Sequence, residues 1–197
     1  MSDAASSLHP MSVEQWAALD EDEPGELVDG HLEEEEVPTW AHELVVSWLI
    51  RVLGGWFVPR GGFVLGSESK VAVSARRGRK PDVVVFFTSR GLPPRQSSLT
   101  RSPPDVVIEV VTATPRDQRR DRVEKKADYA AFGVAQYWIV DPEARTFEIL
   151  ARRDDGRFVE LLAASEGAHD VPSCDGLRLD LDALWSELER WPAGEDD

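Results

Sequence analysis

The chain has a single cysteine, Cys174, which excludes an internal disulfide and any zinc site built from several cysteines. It has four histidines, and neither His31 nor His42 stands at metal-pair spacing from another, so both read as structural. No stretch reaches the roughly 18 consecutive apolar residues that a membrane helix needs. Met1 to Pro10 lacks the basic and apolar regions of a secretory signal. Zinc-finger and helix-turn-helix signatures are absent, and so is an internal repeat. These absences point to a cytoplasmic protein with no membrane partner. What remains is an ordinary globular composition: 197 residues, 42% hydrophobic and 30% charged, enough for one domain with a substantial core. We read residues 1–11 as a disordered tail, 12–190 as that domain and 191–197 as an acidic tail.

Positive charge is the next shortage. The formal net charge is -15, which taken alone argues against a polyanionic partner. Its distribution argues otherwise. Residues 1–59 carry thirteen acids and one base, and residues 127–197 carry seventeen acids and six bases. Residues 60–126 carry fifteen bases and seven acids, a balance of +8. A phosphate-bearing substrate would be drawn to the face this middle segment builds and repelled elsewhere. The plainer alternative is a sheet whose surrounding loops are simply basic.

Ser12 with Gln15 has the form of a capping box, opening a short amphipathic helix that carries Val13, Trp16, Ala17 and Leu19. Residues 26–37 read as a hairpin turning at Asp29-Gly30. Thr39 caps a helix with Trp40, Leu44, Val45, Trp48, Leu49 and Val52 on one stripe; Gly54-Gly55 is its expected stop. Strands near 63–65 and 69–73 precede a basic loop, Arg76-Arg77-Gly78-Arg79-Lys80. After it come an apolar strand opened by Pro81, a long loop over 88–103, and an apolar strand opened by Pro104. A helix then runs from Pro115 to Phe132, with Thr114 as its cap and Gly133 as its stop. A strand over 136–141, strands near 146–151 and 158–162, and an amphipathic helix near 181–189 complete the chain.

Two of the apolar strands contain an acid. Pro81-Asp82-Val83-Val84-Val85-Phe86-Phe87 opens on Asp82, and Pro104-Asp105-Val106-Val107-Ile108-Glu109-Val110-Val111 holds Glu109 among valine and isoleucine. An acid inside such a run costs several kcal/mol unless something compensates it. A metal ion is one compensation. Two carboxylates from neighbouring strands and a lysine from the next helix, Lys125, are the parts of a metal-dependent site that cleaves phosphodiesters. That hydrolysis needs a water made nucleophilic near neutral pH and charge stabilisation on the phosphoryl oxygens. Mg²⁺ or Mn²⁺ would take its ligands from Asp82 and Glu109, with the Val110 backbone carbonyl as a third. Lys125 would orient or help deprotonate the water, or contact the phosphate. Arg76, Arg77, Arg79 and Lys80 before the first strand, and Arg116, Arg119, Arg120 and Arg122 on the helix, are the expected phosphate contacts.

Strand, strand, helix, strand, with an acid on each of the first two strands, resembles the PD-(D/E)xK nuclease core. Within it the chain resembles the Uma2 family of restriction-endonuclease-like proteins. The residues that carry the resemblance are Gly25-Glu26-Leu27-Val28-Asp29-Gly30, Lys80-Pro81-Asp82-Val83 and the Glu109 strand through Thr112. To these add the spacing Asp121, Lys125, Tyr129, Gly133, leading into Tyr137-Trp138-Ile139-Val140-Asp141-Pro142. This last block is the most specific, and the resemblance spans about residues 12–185. It implies an α/β (α+β) fold, with a central mixed β-sheet flanked by helices. It implies a metal-dependent endonuclease acting on DNA, with Glu26 as a further acid and two copies paired to cut both strands. The departure from the parent pattern is Val111, which stands where a lysine would complete the motif; Lys125 on the following helix takes that part in Uma2-like chains. Thr112 and Thr114 stand where the family usually has serine.

Plainer roles stay open for each residue. Asp82 can cap the turn after Pro81, and Glu109 can pair with Lys125 or Arg122. Lys125, beside Lys126, can sit on a solvated face; Asp121 can be its i,i+4 partner; Glu26 belongs to a very acidic segment. Tyr129, Tyr137 and Trp138 read as core. The rival to the nuclease is therefore a non-catalytic relative that keeps the fold as a binding or interaction module. A weaker rival is a hydrolase of another phosphate ester.

Overall fold

The computed structural model of the chain describes residues 10–19, 25–34, 37–87, 91–112 and 114–192. Most of the expected tails over 1–11 and 191–197 lie outside the described residues, as do Glu35 and Glu36. The elements begin with α1 (Val13–Ala17), β1 (Glu26–Val28), β2 (His31–Glu33), α2 (Trp40–Phe57) and β3 (Phe63–Leu65). Next come β4 (Lys70–Ser74), β5 (Arg77–Arg79), β6 (Val83–Phe86), β7 (Leu99–Thr100), β8 (Val106–Val110), α3 (Pro115–Arg119) and α4 (Lys126–Phe132). The chain ends with β9 (Gln136–Asp141), β10 (Thr146–Arg152), β11 (Phe158–Ala164), β12 (Ala168–Asp170), β13 (Arg178–Asp180) and α5 (Leu181–Glu189). A 3₁₀ turn, Val58–Arg60, follows α2, and a π-helical stretch, Arg120–Lys125, joins α3 to α4.

A six-stranded mixed sheet in the order β11-β10-β9-β8-β6-β3 organises the molecule. Strands β8 and β9 are parallel and the other neighbours antiparallel. This is the mixed, helix-flanked sheet that the sequence led us to expect. Its central strands are buried on both faces, which is why their residues run apolar instead of alternating. Pleating sorts the side chains by parity. Val83, Val85, Val106, Ile108 and Val110 join the core built with α2 and α5. Val84, Phe86, Val107 and Val111 join the opposite core, which Tyr129 of α4 closes. Asp82 and Glu109 share the parity of this second set. A one-residue slip of either strand would part them.

A second sheet, in the order β2-β1-β5-β4-β7, carries α1 on one side. The Trp16 ring lies over Gly78 of β5, where a Cβ would stand 2.3 Å from a ring carbon. Only glycine admits that approach. The capping box at Ser12 is present in both directions, Ser12 N–H to Gln15 Oε1 at 2.8 Å and Gln15 N–H to Ser12 Oγ at 3.3 Å. The β1–β2 hairpin turns at Asp29 (φ 51°) and Gly30 (φ 85°), as the Asp-Gly pair predicts.

Several expectations are corrected. Helix α2 runs straight through Gly54-Gly55 to Phe57, because Phe57 is buried and stacks on Phe87 with ring centroids 5.1 Å apart. Tertiary packing there outweighs the glycine cost. The segment Trp40–Arg60 is long and apolar enough to cross a membrane by length and composition. Of its expected stripe, Val45, Trp48 and Leu49 are buried in the core with Leu53, whereas Trp40 is exposed. The basic loop over 76–80 is largely strand β5. Strand β7 interrupts the long loop, and the β12–β13 pair that leads into α5 was not foreseen.

Candidate active site

Asp82 sits just ahead of β6, where Pro81 offers no N–H to a ladder. The antiparallel register pairs Val83 with Ile108, so the next step brings Asp82 opposite Glu109 on the same face. Asp82 Oδ2 accepts a hydrogen bond from the Val110 N–H at 2.7 Å. Both acids line one cavity of about 140 Å³, together with Lys125, Asp121, Lys80, Arg120, His42, Val110 and Thr112. The sequence-derived trio is thus brought together at one end of the sheet.

Lys125 lies at the centre of a buried charge cluster. Its Nζ is 3.0 Å from Glu109 Oε2, 3.4 Å from Asp121 Oδ1 and 3.4 Å from Glu26 Oε1. Burial alone would lower the ammonium's proton affinity, but Glu109, Glu26, Asp121 and Asp82 outweigh it and hold it well above the usual lysine range. Lys125 therefore stays charged and has no proton vacancy with which to activate a water. Glu109 is displaced in the same direction, which for an acid favours the neutral form. Burial raises its carboxyl, Lys125 lowers it, and the neighbouring acids raise it again, for a net rise well above the ordinary value. Its second oxygen, Oε1, accepts from the Tyr129 hydroxyl at 2.6 Å. Burial also raises Asp121, despite Lys125 and Arg120. Asp121 Oδ1 is buried without a hydrogen bond and has only its ion pairs, at 3.4 Å to Lys125 and 3.8 Å to Arg120.

The π-helical stretch is what presents Asp121 and Lys125. Its widened turn leaves the Asp121 carbonyl to accept a hydrogen bond from the Tyr137 hydroxyl at 2.9 Å. Single-turn π insertions recur at functional sites. No feature of the sequence announced this one.

The other expected site residues divide between the cavity and its surroundings. Glu26 stands behind Lys125, outside the cavity lining, and binds Arg79 Nη1 at 2.6 Å and the Lys80 N–H at 2.9 Å. Burial pushes its carboxyl up, but Lys125 and Arg79 bring it below the usual range. Arg79 is fully buried, clamped by Glu26 and by Asp128 at 2.6 Å. Arg77 binds Asp128 and Asp29, each at 2.8 Å. These two arginines fasten β5 to α4 and to the hairpin; neither presents its guanidinium to a substrate phosphate. Arg122 is held by Glu148, by Gln118 at 2.8 Å and by Asp141 at 3.5 Å, away from the cavity. Arg76 is exposed at the β4–β5 turn. Lys80 lines the cavity and pairs with Glu68 at 2.7 Å. Arg116 and Arg119 line an open groove with Arg120, which also reaches the cavity.

Two residues were missed. Tyr129 is core, as expected, but also fixes Glu109. His42 lines the cavity, with Nε2 3.2 Å from Asp82 Oδ1. Burial pulls its imidazole down, but the hydrogen bond and charge of Asp82, with Glu43, produce a net upward shift. Tyr129 had a signal in its position one helical turn beyond Lys125; the place of His42, three residues after the cap Thr39, gave none.

A family model described as "Uma2: Putative restriction endonuclease" matches residues 12–186. No curated protein matches the chain. A solved structure from Anabaena variabilis ATCC 29413, titled a "putative nuclease belonging to DUF820", superposes with a TM-score of 0.73. It is 20% identical in sequence, over 91% of this chain and 99% of that one. At that identity the likeness carries the fold alone.

Proposed function

The chain belongs to the Uma2 family of restriction-endonuclease-like proteins, and we propose that it is a divalent-metal-dependent endonuclease hydrolysing phosphodiester bonds of DNA. One observation carries this reading: Asp82 and Glu109 face each other across β6 and β8 in the cavity that also holds Lys125. Charge supports a cation there. Glu109, Asp121 and Glu26 share the one ammonium of Lys125, Asp82 stands beside them, and Asp121 Oδ1 is a buried acceptor without a hydrogen bond. Among the described residues no three acids, histidines or cysteines form a ready cage. The fit is therefore that of Mg²⁺ or Mn²⁺, which commonly take one or two carboxylates and complete their shell with water and substrate phosphate. Asp82 and Glu109 would hold the ion, which lowers the proton affinity of a bound water and neutralises phosphoryl charge. Lys125 stays protonated, so its part is to hold Glu109 and to offset charge developing on the phosphate. Lys80 and Arg120 line the same cavity and add positive charge beside it.

A second reading has its own observation. All four oxygens of Asp82 and Glu109 already have protein partners: the Val110 N–H, His42, Lys125 and Tyr129. A saturated cluster of this kind also suits a non-catalytic module that keeps the nuclease fold. Cleavage of plasmid and oligonucleotide DNA separates the two. The nuclease reading expects cutting with Mg²⁺ or Mn²⁺ that is lost on chelation and abolished in Asp82→Asn and Glu109→Gln. A folded wild type that neither cuts nor gains thermal stability from these ions would leave the module.

A further inference from the structure

We propose that His42 is a positioning residue of this site, the strut that fixes the Asp82 carboxylate for cation binding; the inference rests on the nuclease reading above. Asp82 stands at a strand entrance, outside the backbone ladder, and nothing in β6 itself limits rotation of its carboxylate. Two donors from different elements set that orientation. The Val110 N–H of β8 takes Oδ2 at 2.7 Å, and His42 Nε2 from the first turn of α2 takes Oδ1 at 3.2 Å. The helix end is itself pinned at this residue, because the Thr39 hydroxyl accepts the His42 N–H at 3.2 Å. Thr39, His42, Asp82 and Val110 thus form one continuous line of contacts from helix to sheet.

The ring has few other uses. Its side chain is 11% exposed, and its contacts with charged groups are to Asp82 and, through Nδ1, to Glu43 Oε1 at 3.6 Å. Nδ1 is buried without a hydrogen bond. An imidazole kept only for packing would not be expected to leave a buried nitrogen unsatisfied. His42 also lines a second, mostly apolar cavity of about 210 Å³, together with Ala41, Val111, Pro142 and Leu188. His42 thus borders both that space and the cavity of the acids, with its Nε2 3.2 Å from Asp82 Oδ1. A carboxylate accepts only, so the contact assigns the proton to Nε2. Hydrogen-bonded outer residues of this kind orient ligating carboxylates and typically change metal affinity or activity about 10- to 100-fold when removed.

The experiment compares wild type, His42→Ala and His42→Gln, the last because its amide nitrogen can reach where Nε2 stands. Mn²⁺ binding by calorimetry, metal-free melting curves, and kcat and KM for DNA cleavage are read on each. His42→Ala should raise the half-saturating Mn²⁺ about 10- to 100-fold, with the metal-free melting curve close to wild type and KM at saturating Mn²⁺ unchanged. His42→Gln should restore most of the affinity. Unchanged Mn²⁺ binding in His42→Ala overturns the inference while leaving the nuclease reading standing. So does a loss confined to metal-free stability, or one that His42→Gln does not repair. A wild type that binds no Mn²⁺ and cuts no DNA overturns both.

Discussion

Three carboxylates crowd one ammonium at 3.0 to 3.4 Å, and that imbalance sets the behaviour of Glu109 and Lys125. Lys125 loses little if one acid is removed, because two remain. Glu109 has no second cation to turn to. Its carboxyl is raised above the ordinary value of 4.5, chiefly by burial. The stability it lends is therefore present below that value and lost as pH rises through the folded one. Glu109→Gln lacks this dependence and keeps an oxygen for the Tyr129 hydroxyl. We expect it to match wild type in acid and to become the more stable of the two as pH rises above the ordinary carboxyl range, without metal. Metal-free melting curves across pH check this, and a variant less stable at neutral pH would make Glu109 a structural ion-pair partner. Tyr129→Phe goes the other way, leaving a buried Glu109 oxygen without its donor and costing about 1–3 kcal/mol. Asp82, Glu109 and Lys125 were legible in the sequence because an acid in an apolar run is expensive and so stands out. His42 was not, because a lone histidine after a helix cap looks the same whether it faces solvent or a carboxylate.

Elements were legible where local chemistry and tertiary packing agree. The Asp29-Gly30 turn, the Ser12 box, the Gly133 stop and helix α5 follow from short-range rules alone. They were illegible where a distant surface decides. Gly54-Gly55 reads as a stop, yet Phe57 beyond it finds a buried place and the helix continues. Arg76 to Lys80 reads as a basic loop, yet Asp128 and Glu26, far along the chain in both directions, hold Arg79 at the end of a strand. The continued helix gives a direct test. A Cβ at Gly54 or Gly55 would meet nothing within 4 Å, so each glycine carries its full entropic cost with no packing reason. Gly54→Ala and Gly55→Ala should each stabilise the protein by about 0.5–1 kcal/mol, read by denaturant midpoint. Destabilisation by either would mean that the helix does not run through these positions.

At the scale of the whole molecule, the net charge of -15 and the basic middle segment pull in opposite directions. Much of the basic excess is spent inside the fold: Arg77, Arg79 and Lys125 are bound to acids, and Arg122 is held by Glu148 and Asp141. The exposed arginines beside the cavity are Arg116 and Arg119 of α3, which share a groove with Arg120, Glu33, Glu34 and Glu124; Arg119 lies 3.4 Å from Glu124, and Arg120 also lines the cavity. On the endonuclease reading proposed above, a DNA strand would approach along α3 and not along β5. Each phosphate neutralised adds roughly 0.9 to the slope of log affinity against log salt for duplex DNA. The double variant Arg116→Ser with Arg119→Ser should therefore flatten that slope by about 1.8, whereas Arg76→Ser at the far turn should leave it unchanged. The measurement is a salt titration of DNA binding by the cleavage-dead Glu109→Gln protein carrying each change. If Arg76→Ser flattened the slope and the α3 pair did not, the strand would cross the β4–β5 turn instead, and the groove beside Arg120 would lose its claim as the path to the carboxylates.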